Sequence, residues 1–141
     1  MHQLVLHTLR SRAAPLRIAI VGTGWLGGGV VRETARFPEL LPVLLVDRDL
    51  DRARRAYRAR GVPDDAVRVV GPGAAPPGPW NVATDVAALG RVHGIDVVFE
   101  ATGDMLLGAE TALAAFAMGA HFVTGSCELD ACLGPALAAR A

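Results

Sequence analysis

The segment Gly22-Thr23-Gly24-Trp25-Leu26-Gly27 has the spacing of a phosphate-binding turn. A glycine in the first position permits a tight exit from a strand. In the second, the missing Cβ lets a pyrophosphate approach the backbone, and in the third it lets a helix pack closely on a sheet. The helix opened by such a turn offers unsatisfied N–H groups and the positive end of its dipole, which together attract an anion. Gly22, Gly24 and Gly27, with the intervening Trp25 and Leu26, are therefore the expected cradle of a dinucleotide. A glycine-rich turn that binds nothing is the plain alternative. Gly28 and Gly29 extend the run and should loosen the first helical turn by roughly 1 kcal/mol each relative to alanine. Close packing of small residues on the sheet is the only reason the sequence offers for them.

Asp47 lies 20 residues beyond Gly27, the distance at which an acidic residue ending the second strand hydrogen-bonds the adenosine ribose hydroxyls of NAD. Arg48 follows at once, and an arginine there holds the extra 2′-phosphate of NADP if Asp47 swings aside. NAD is favoured and NADP stays open. A solvated turn is the competing reading, since Asp49 and Asp51 also suit a turn and a helix start. Ala101, Thr102 and Gly103 fall at the exit of a later strand, where small residues let the backbone line the nicotinamide half of a cofactor. Asp104 reads as the N-cap of the helix that follows. Ser126 and Glu128 sit at another strand exit and either contact substrate or cap the last helix.

Cys127 has no histidine or arginine near it in sequence and reads as a buried hydrophobe rather than a nucleophile. Cys127 and Cys132 are five apart, which fits neither a zinc knuckle nor a redox Cys-x-x-Cys pair, so no metal is expected. His93 and His121 flank strands and are assigned no chemistry. All 14 basic residues are arginine, which excludes mechanisms that need a lysine as Schiff base, general base or phosphate anchor. They balance 14 acidic residues, so the chain lacks the charge footprint of a nucleic-acid binder. Small molecules are the expected partners, with a homo-oligomer left open.

The elements that must position these residues alternate. Leu16-Arg17-Ile18-Ala19-Ile20-Val21 reads as a strand buried on both faces, residues 25–37 as a helix stopped before Pro38, and Val43-Leu44-Leu45-Val46 as a second strand. Residues 49–60 suit a solvent-facing helix with Gly61 as its C-cap. Residues 67–70 suggest a third strand, and the Pro- and Gly-rich 71–79 a surface loop. Residues 96–100, 106–118 and 120–124 read as strand, helix and strand, and a last helix begins near Leu129. This pattern predicts an α/β fold, a doubly wound parallel sheet of Rossmann type with strand order 3-2-1-4-5. Residues 1–15 would form an N-terminal helical arm, with an amphipathic helix over 4–12, and residues 16–141 the NAD(P)-binding domain. No apolar run approaches the roughly 18 residues of a membrane-spanning helix, no signal peptide is evident, and the expected setting is cytoplasmic.

The run Gly94-Ile95-Asp96-Val97-Val98-Phe99-Glu100-Ala101-Thr102-Gly103, followed by Gly108-Ala109 and Gly119-Ala120-His121-Phe122-Val123, resembles the homoserine-dehydrogenase-type NAD(P)-binding domain. With Glu128, Asp130 and Gly134-Pro135 the chain is more similar to the SAF-domain-bearing oxidoreductases that include the 1-deoxy-D-xylulose 5-phosphate reductoisomerase-like enzymes. The resemblance implies NAD(P)-dependent hydride transfer to a small polar or phosphorylated substrate, with Gly22, Gly24 and Gly27 at the cofactor. It also exposes departures. Homoserine dehydrogenases carry an asparagine-lysine pair where this chain has Ser126-Cys127, which makes homoserine a poor candidate substrate. The reductoisomerase-like group has an asparagine, an aliphatic residue and a glutamate there, of which only Glu128 matches. Family members continue into a substrate-binding and catalytic region, so the expectation is a dinucleotide-binding part of an oxidoreductase. The alternative is a non-catalytic dinucleotide-binding or redox-sensing module.

Overall fold

A computed structural model describes residues 7–73 and 78–141. The elements run β1 (Leu16–Val21), α1 (Trp25–Glu33), β2 (Leu40–Val46), α2 (Leu50–Arg60), β3 (Arg68–Val69), β4 (Asn81–Ala83), β5 (Val97–Glu100), α3 (Met105–Ala117), β6 (His121–Thr124) and α4 (Cys127–Ala138). Short 3₁₀ turns occupy Thr34–Arg36, Asp64–Ala66 and Val86–Arg91. Residues 7–10 are helical, while 4–6 of the expected N-terminal helix lie outside the described residues, as does 74–77 of the expected loop.

All strand pairings are parallel. Strand side chains alternate between faces, and two apolar layers result. Ile18, Ile20, Leu45 and Val82 join Val31 of α1 and Ala53, Ala56 and Tyr57 of α2 in one layer. Ala19, Val21, Leu44, Val46 and Val98 join Ala115 of α3 and Leu89 of the last 3₁₀ turn in the other. The sheet is thus wound on both faces, as the alternation of elements implies.

The predicted order 3-2-1-4-5 needs correction: among the described residues the sheet has six strands in the order β3-β4-β2-β1-β5-β6. The segment expected to pair with β2 is instead the two-residue edge strand β3, exposed at both positions. Asn81–Ala83 takes its place beside β2. Asparagine and alanine are weak strand formers, and this segment gains its place from tertiary contacts. The register of β1 on β2 shifts between Ile18 and Ala19, where Pro42 enters the ladder. Proline has no N–H to donate, so such positions favour a bulge. Side chains from neighbouring elements satisfy the displaced carbonyls. Tyr57 Oη donates to the Pro42 oxygen and lies equally close to that of Asn81, at 3.1 Å each, and Asn81 Nδ2 donates to the Val43 oxygen at 3.0 Å.

Tyr57 is fully buried, edge-on to Trp80 at 5.5 Å between ring centroids, and burial pushes its hydroxyl far above the usual tyrosine range. Tyr57→Phe is expected to cost about 1–2 kcal/mol in urea denaturation, because the shared hydroxyl is lost and a buried carbonyl is left short of a donor. A cost below roughly 0.5 kcal/mol would mean that the bulge is not held from α2.

The helices start close to where their caps predict. Asp49 caps α2 by accepting from Arg52 N, and Gly61 ends it at φ +98°. The first helix is shorter than expected, since α1 stops at Glu33 and tightens into a 3₁₀ turn. The last begins at Cys127 rather than near Leu129 and carries Pro135 inside it.

Candidate functional site

At the carboxyl edge of β1, β2 and β5, the position where doubly wound sheets bind ligands, a cavity of about 500 Å³ opens. Gly22, Gly24, Asp47, Arg48, Ala101 and Thr102 line it, joined by Arg52, Thr84, Asp85, Asp104, Leu107 and Glu110. Six of the residues singled out from sequence are thus brought together from three separate chain segments.

The glycine turn is built as its spacing demands. Gly22 has φ +87°, and a Cβ there would meet the Ala101 carbonyl oxygen at 2.7 Å, so the turn lies directly against the exit of β5. Gly27 is tighter still, because a Cβ there would meet the Gly22 carbonyl oxygen at 1.8 Å. Around Gly24 the space is open, as a pyrophosphate approaching the backbone requires. Gly28 is explained by the turn rather than the sheet, since a Cβ would lie 3.1 Å from the Thr23 oxygen. For Gly29 the packing explanation fails: nothing lies within 4 Å.

Among the described α-helices, α2, α3 and α4 begin with a side-chain cap from Asp49, Asp104 and Ser126. α1 does not. Its N-cap is Gly24, no side chain caps it, and no acidic residue stands in its first turn. The first bond of the helix is Gly28 N to Gly24 O at 2.9 Å, so the N–H groups just ahead of Gly28 have no acceptor in the helix. Gly24, where the helix begins, lines the cavity, and an anionic group bound beside it would complete them.

Asp47 stands beside the turn, at the end of β2. It is 6% exposed. Its Oδ2 accepts from Thr23 N at 2.9 Å and Thr23 Oγ1 at 2.7 Å, and its Oδ1 accepts from Asp49 N at 2.9 Å. Arg52 Nη1 lies 3.7 Å from Oδ1. Burial alone would raise its pKa. The donors from Asp49 and Thr23 outweigh that, with Arg52 adding to them, and hold the carboxyl below its ordinary value of 3.8. Arg48 is exposed and lines the same cavity.

Other expected site residues fall elsewhere. Trp25, 95% exposed, and Leu26 border a separate apolar depression with Phe37 and Leu40. Gly27 is buried beneath the turn, and Gly103, at φ +70°, is exposed at the rim. Asp104 is the N-cap of α3, accepting from Leu106 N and Leu107 N. Ser126 caps α4 through Leu129 N at 3.2 Å, and Glu128 reaches only as far as Ser126 Oγ, at 3.4 Å. Ser126 and Cys127 border a second groove of about 750 Å³ between β6 and α4. Cys127 is corrected from buried to exposed: both cysteines are free and exposed. Among the described residues no cluster of His, Cys, Asp or Glu is placed to hold a metal, and no helix is long and apolar enough to cross a membrane.

Sequence reading gave no role of their own to Thr23 and Arg52, both of which meet Asp47. Thr23 is an unspecified position in the glycine pattern. Arg52 is one of five arginines in α2, with nothing local to distinguish it from its neighbours.

The sequence matches no protein-family model and no curated protein. Solved structures do match. A 3-ketoreductase from Actinomadura kijaniata, in complex with NADP and TDP-benzene, aligns at TM-score 0.63 and 20% identity over 89% of this chain and 35% of its own. A homoserine dehydrogenase from Thiobacillus denitrificans aligns at 0.64 and 23% over 89% of this chain and 27% of its own. A scyllo-inositol dehydrogenase from Lactobacillus casei, with bound NAD(H) and scyllo-inositol, aligns at 0.56 and 17% over 78% of this chain and 27% of its own. The fold is of Rossmann type. The chain spans about a third or less of each of these proteins, and a homoserine dehydrogenase stands among them on the same footing as a 3-ketoreductase and an inositol dehydrogenase.

Proposed function

We propose that this chain is the dinucleotide-binding domain of an NAD(P)-dependent oxidoreductase, with NAD preferred. The observation that carries the reading is the uncapped start of α1, at a cavity that Gly24 and Asp47 both line. A phosphate-bearing ligand satisfies the first and a ribose the second. Nicotinamide supplies hydride chemistry at its C4 when bound. The residues of this chain bind, orient and enclose. The N–H groups ahead of Gly28 hold the pyrophosphate, Asp47 accepts from the ribose, and the Ala101-Thr102 turn walls the opposite side of the cavity.

The preference for NAD rests on how Asp47 is held. A carboxylate offers about four lone-pair sites, and three are taken by Thr23 and Asp49. The one left on Oδ1 suits a ribose hydroxyl. Accepting a 2′-phosphate would require Asp47 to turn away, breaking three hydrogen bonds inside a buried site. The nearby Arg48 and Arg52 support weaker binding of NADP rather than its exclusion. Reduction of a small polar or phosphorylated substrate follows from the resemblance to the homoserine-dehydrogenase and reductoisomerase-like groups, and Ser126 and Glu128, at the exit of β6, are the substrate-side candidates. A cytoplasmic setting belongs to the same proposal.

Calorimetric titration with NADH and NADPH tests the reading, with Gly24→Val as the decisive variant. Open space surrounds Gly24, so the valine meets no clash, and the poorer N-cap should cost about 1 kcal/mol in the unfolding measurement run beside the titration. Its side chain would occupy the pyrophosphate path and weaken NADH by roughly a hundredfold, about 2.7 kcal/mol. Absence of binding by the unmodified chain at millimolar NADH and NADPH would sink the proposal.

A further inference from the structure

Glu100 is fully buried at the carboxyl end of β5, and its hydrogen-bond partners are all neutral. Its Oε1 accepts from Thr102 N and Thr102 Oγ1, both at 2.6 Å, and its Oε2 accepts from Thr124 Oγ1 at 2.6 Å. Burying a carboxylate beside uncharged groups costs far more free energy than burying an aliphatic side chain of the same size. A leucine would serve the core better. The carboxylate makes sense as a two-ended clamp, because the register of the sheet sets Glu100 directly beside Thr124. Glycine makes room for it: a Cβ on Gly108 would meet Leu129 Cδ2 at 2.7 Å and Glu100 Cδ at 3.4 Å.

Both ends of the clamp continue into turns. On one side Thr102 Oγ1 also accepts from Asp104 N at 3.1 Å, which organises the exit of β5 where Ala101 and Thr102 line the dinucleotide cavity. On the other, Thr124 Oγ1 accepts from Ser126 N at 2.9 Å, which organises the exit of β6. That second turn touches the glycine turn, since a Cβ on Gly125 would lie 2.4 Å from Leu26 Cδ2. Ala101 in turn lies against Gly22. The exits of β1, β5 and β6 therefore form one closed ring of contacts, and Glu100 with Thr124 is its polar link.

We propose that Glu100 is a positioning residue which, held by Thr124, sets the Ala101-Thr102 wall of the cavity against the nicotinamide half of the dinucleotide. The inference rests on the dinucleotide reading above. Thr124→Val tests it without touching a residue that lines the dinucleotide cavity: it keeps the size of the side chain and removes the hydroxyl, leaving Oε2 without its donor and Ser126 N without its acceptor. NADH and ADP are titrated in parallel by calorimetry. ADP carries the adenosine and pyrophosphate but nothing that reaches the nicotinamide end. Thr124→Val is expected to weaken NADH about tenfold, the effect of one hydrogen bond to a charged group. ADP should stay within about twofold, and Thr124→Ser should restore NADH binding. Equal weakening of NADH and ADP, as general loosening of the fold would give, overturns the inference. So does unchanged NADH binding. If the unmodified chain bound neither dinucleotide, the parent reading would fail and this one with it, whereas NADH binding that ignores Thr124→Val removes the clamp alone.

Discussion

Gly27→Ala is expected to destabilise the chain by about 3 kcal/mol or more and to abolish measurable dinucleotide binding. The added Cβ would stand 1.8 Å from the Gly22 carbonyl oxygen and 3.3 Å from Ile20 Cγ2. Overpacking a core ordinarily costs about 1–3 kcal/mol because side chains shift to new rotamers. Here the obstructing atom is backbone, held in a turn whose next N–H is bound to Asp47. Relief requires α1 to lift from β1, which moves the very N–H groups at its uncapped start. Gly29→Ala is the internal control. It sits in the same helix with nothing within 4 Å, and should stabilise by roughly 0.5–1 kcal/mol through helix propensity alone. Urea denaturation of the two variants side by side reads the contrast. A Gly27→Ala protein as stable as the parent would show that the turn is not packed as described.

Asp47→Asn is the second large effect, and it reaches stability, pH response and binding together. The carboxylate accepts from two backbone N–H groups and one hydroxyl. An amide must point its NH₂ at one of those donors, so a loss of about 2–3 kcal/mol is expected at neutral pH. NADH affinity should fall at least about tenfold, since the ribose acceptor is lost or turned. The pH dependence follows from the depressed pKa of Asp47. Between the lowered folded value and the ordinary value of 3.8, the unfolded chain binds the proton and the folded chain does not, so stability rises with pH there. The contribution is complete above roughly pH 5 and is lost as pH falls through the folded value. The gap between the parent and Asp47→Asn should therefore narrow when unfolding is measured at pH 3 instead of pH 7. A gap that stayed constant would mean that the ionised form of Asp47 does not hold the turn.

Much of this site is legible locally. Residues 16–21 are marked as a buried strand by their run of branched aliphatics, and the observed strand has those bounds. Gly24 and Gly27 are readable because each does its work against open space or an atom a few residues away, and Gly22 because the tight turn itself needs its positive φ, although its close neighbour, Ala101, comes from far along the chain. The α2 helix shows both ends in its sequence, Asp49 as N-cap and Gly61 as C-cap. Asp104 reads as a cap for the same reason. Asp47 is placed by counting from the turn, because a strand, a helix and a second strand of ordinary length fix where β2 must end.

Other features hide because their causes lie far along the chain. Asn81–Ala83 has no strand signature of its own, and it becomes a strand where Asn81 meets the bulge at Pro42. Cys127 reads as buried by residue type but lies exposed at the first turn of a helix on the edge of the sheet. Nothing beside Glu100 in sequence shows that Thr124 will lie against it.

Short-range chemistry was enough to write the phosphate turn, the acidic end of β2, the helix caps and the alternation that makes a two-faced α/β sheet, since each depends on neighbours within a turn or two of backbone. The insertion of β4 between β2 and β3, the pinning of Asp47 by Thr23 and the clamp between β5 and β6 depend on strand register. Register is a property of the assembled sheet, set by which strands lie side by side and how far each has slid, and no local stretch of sequence records it.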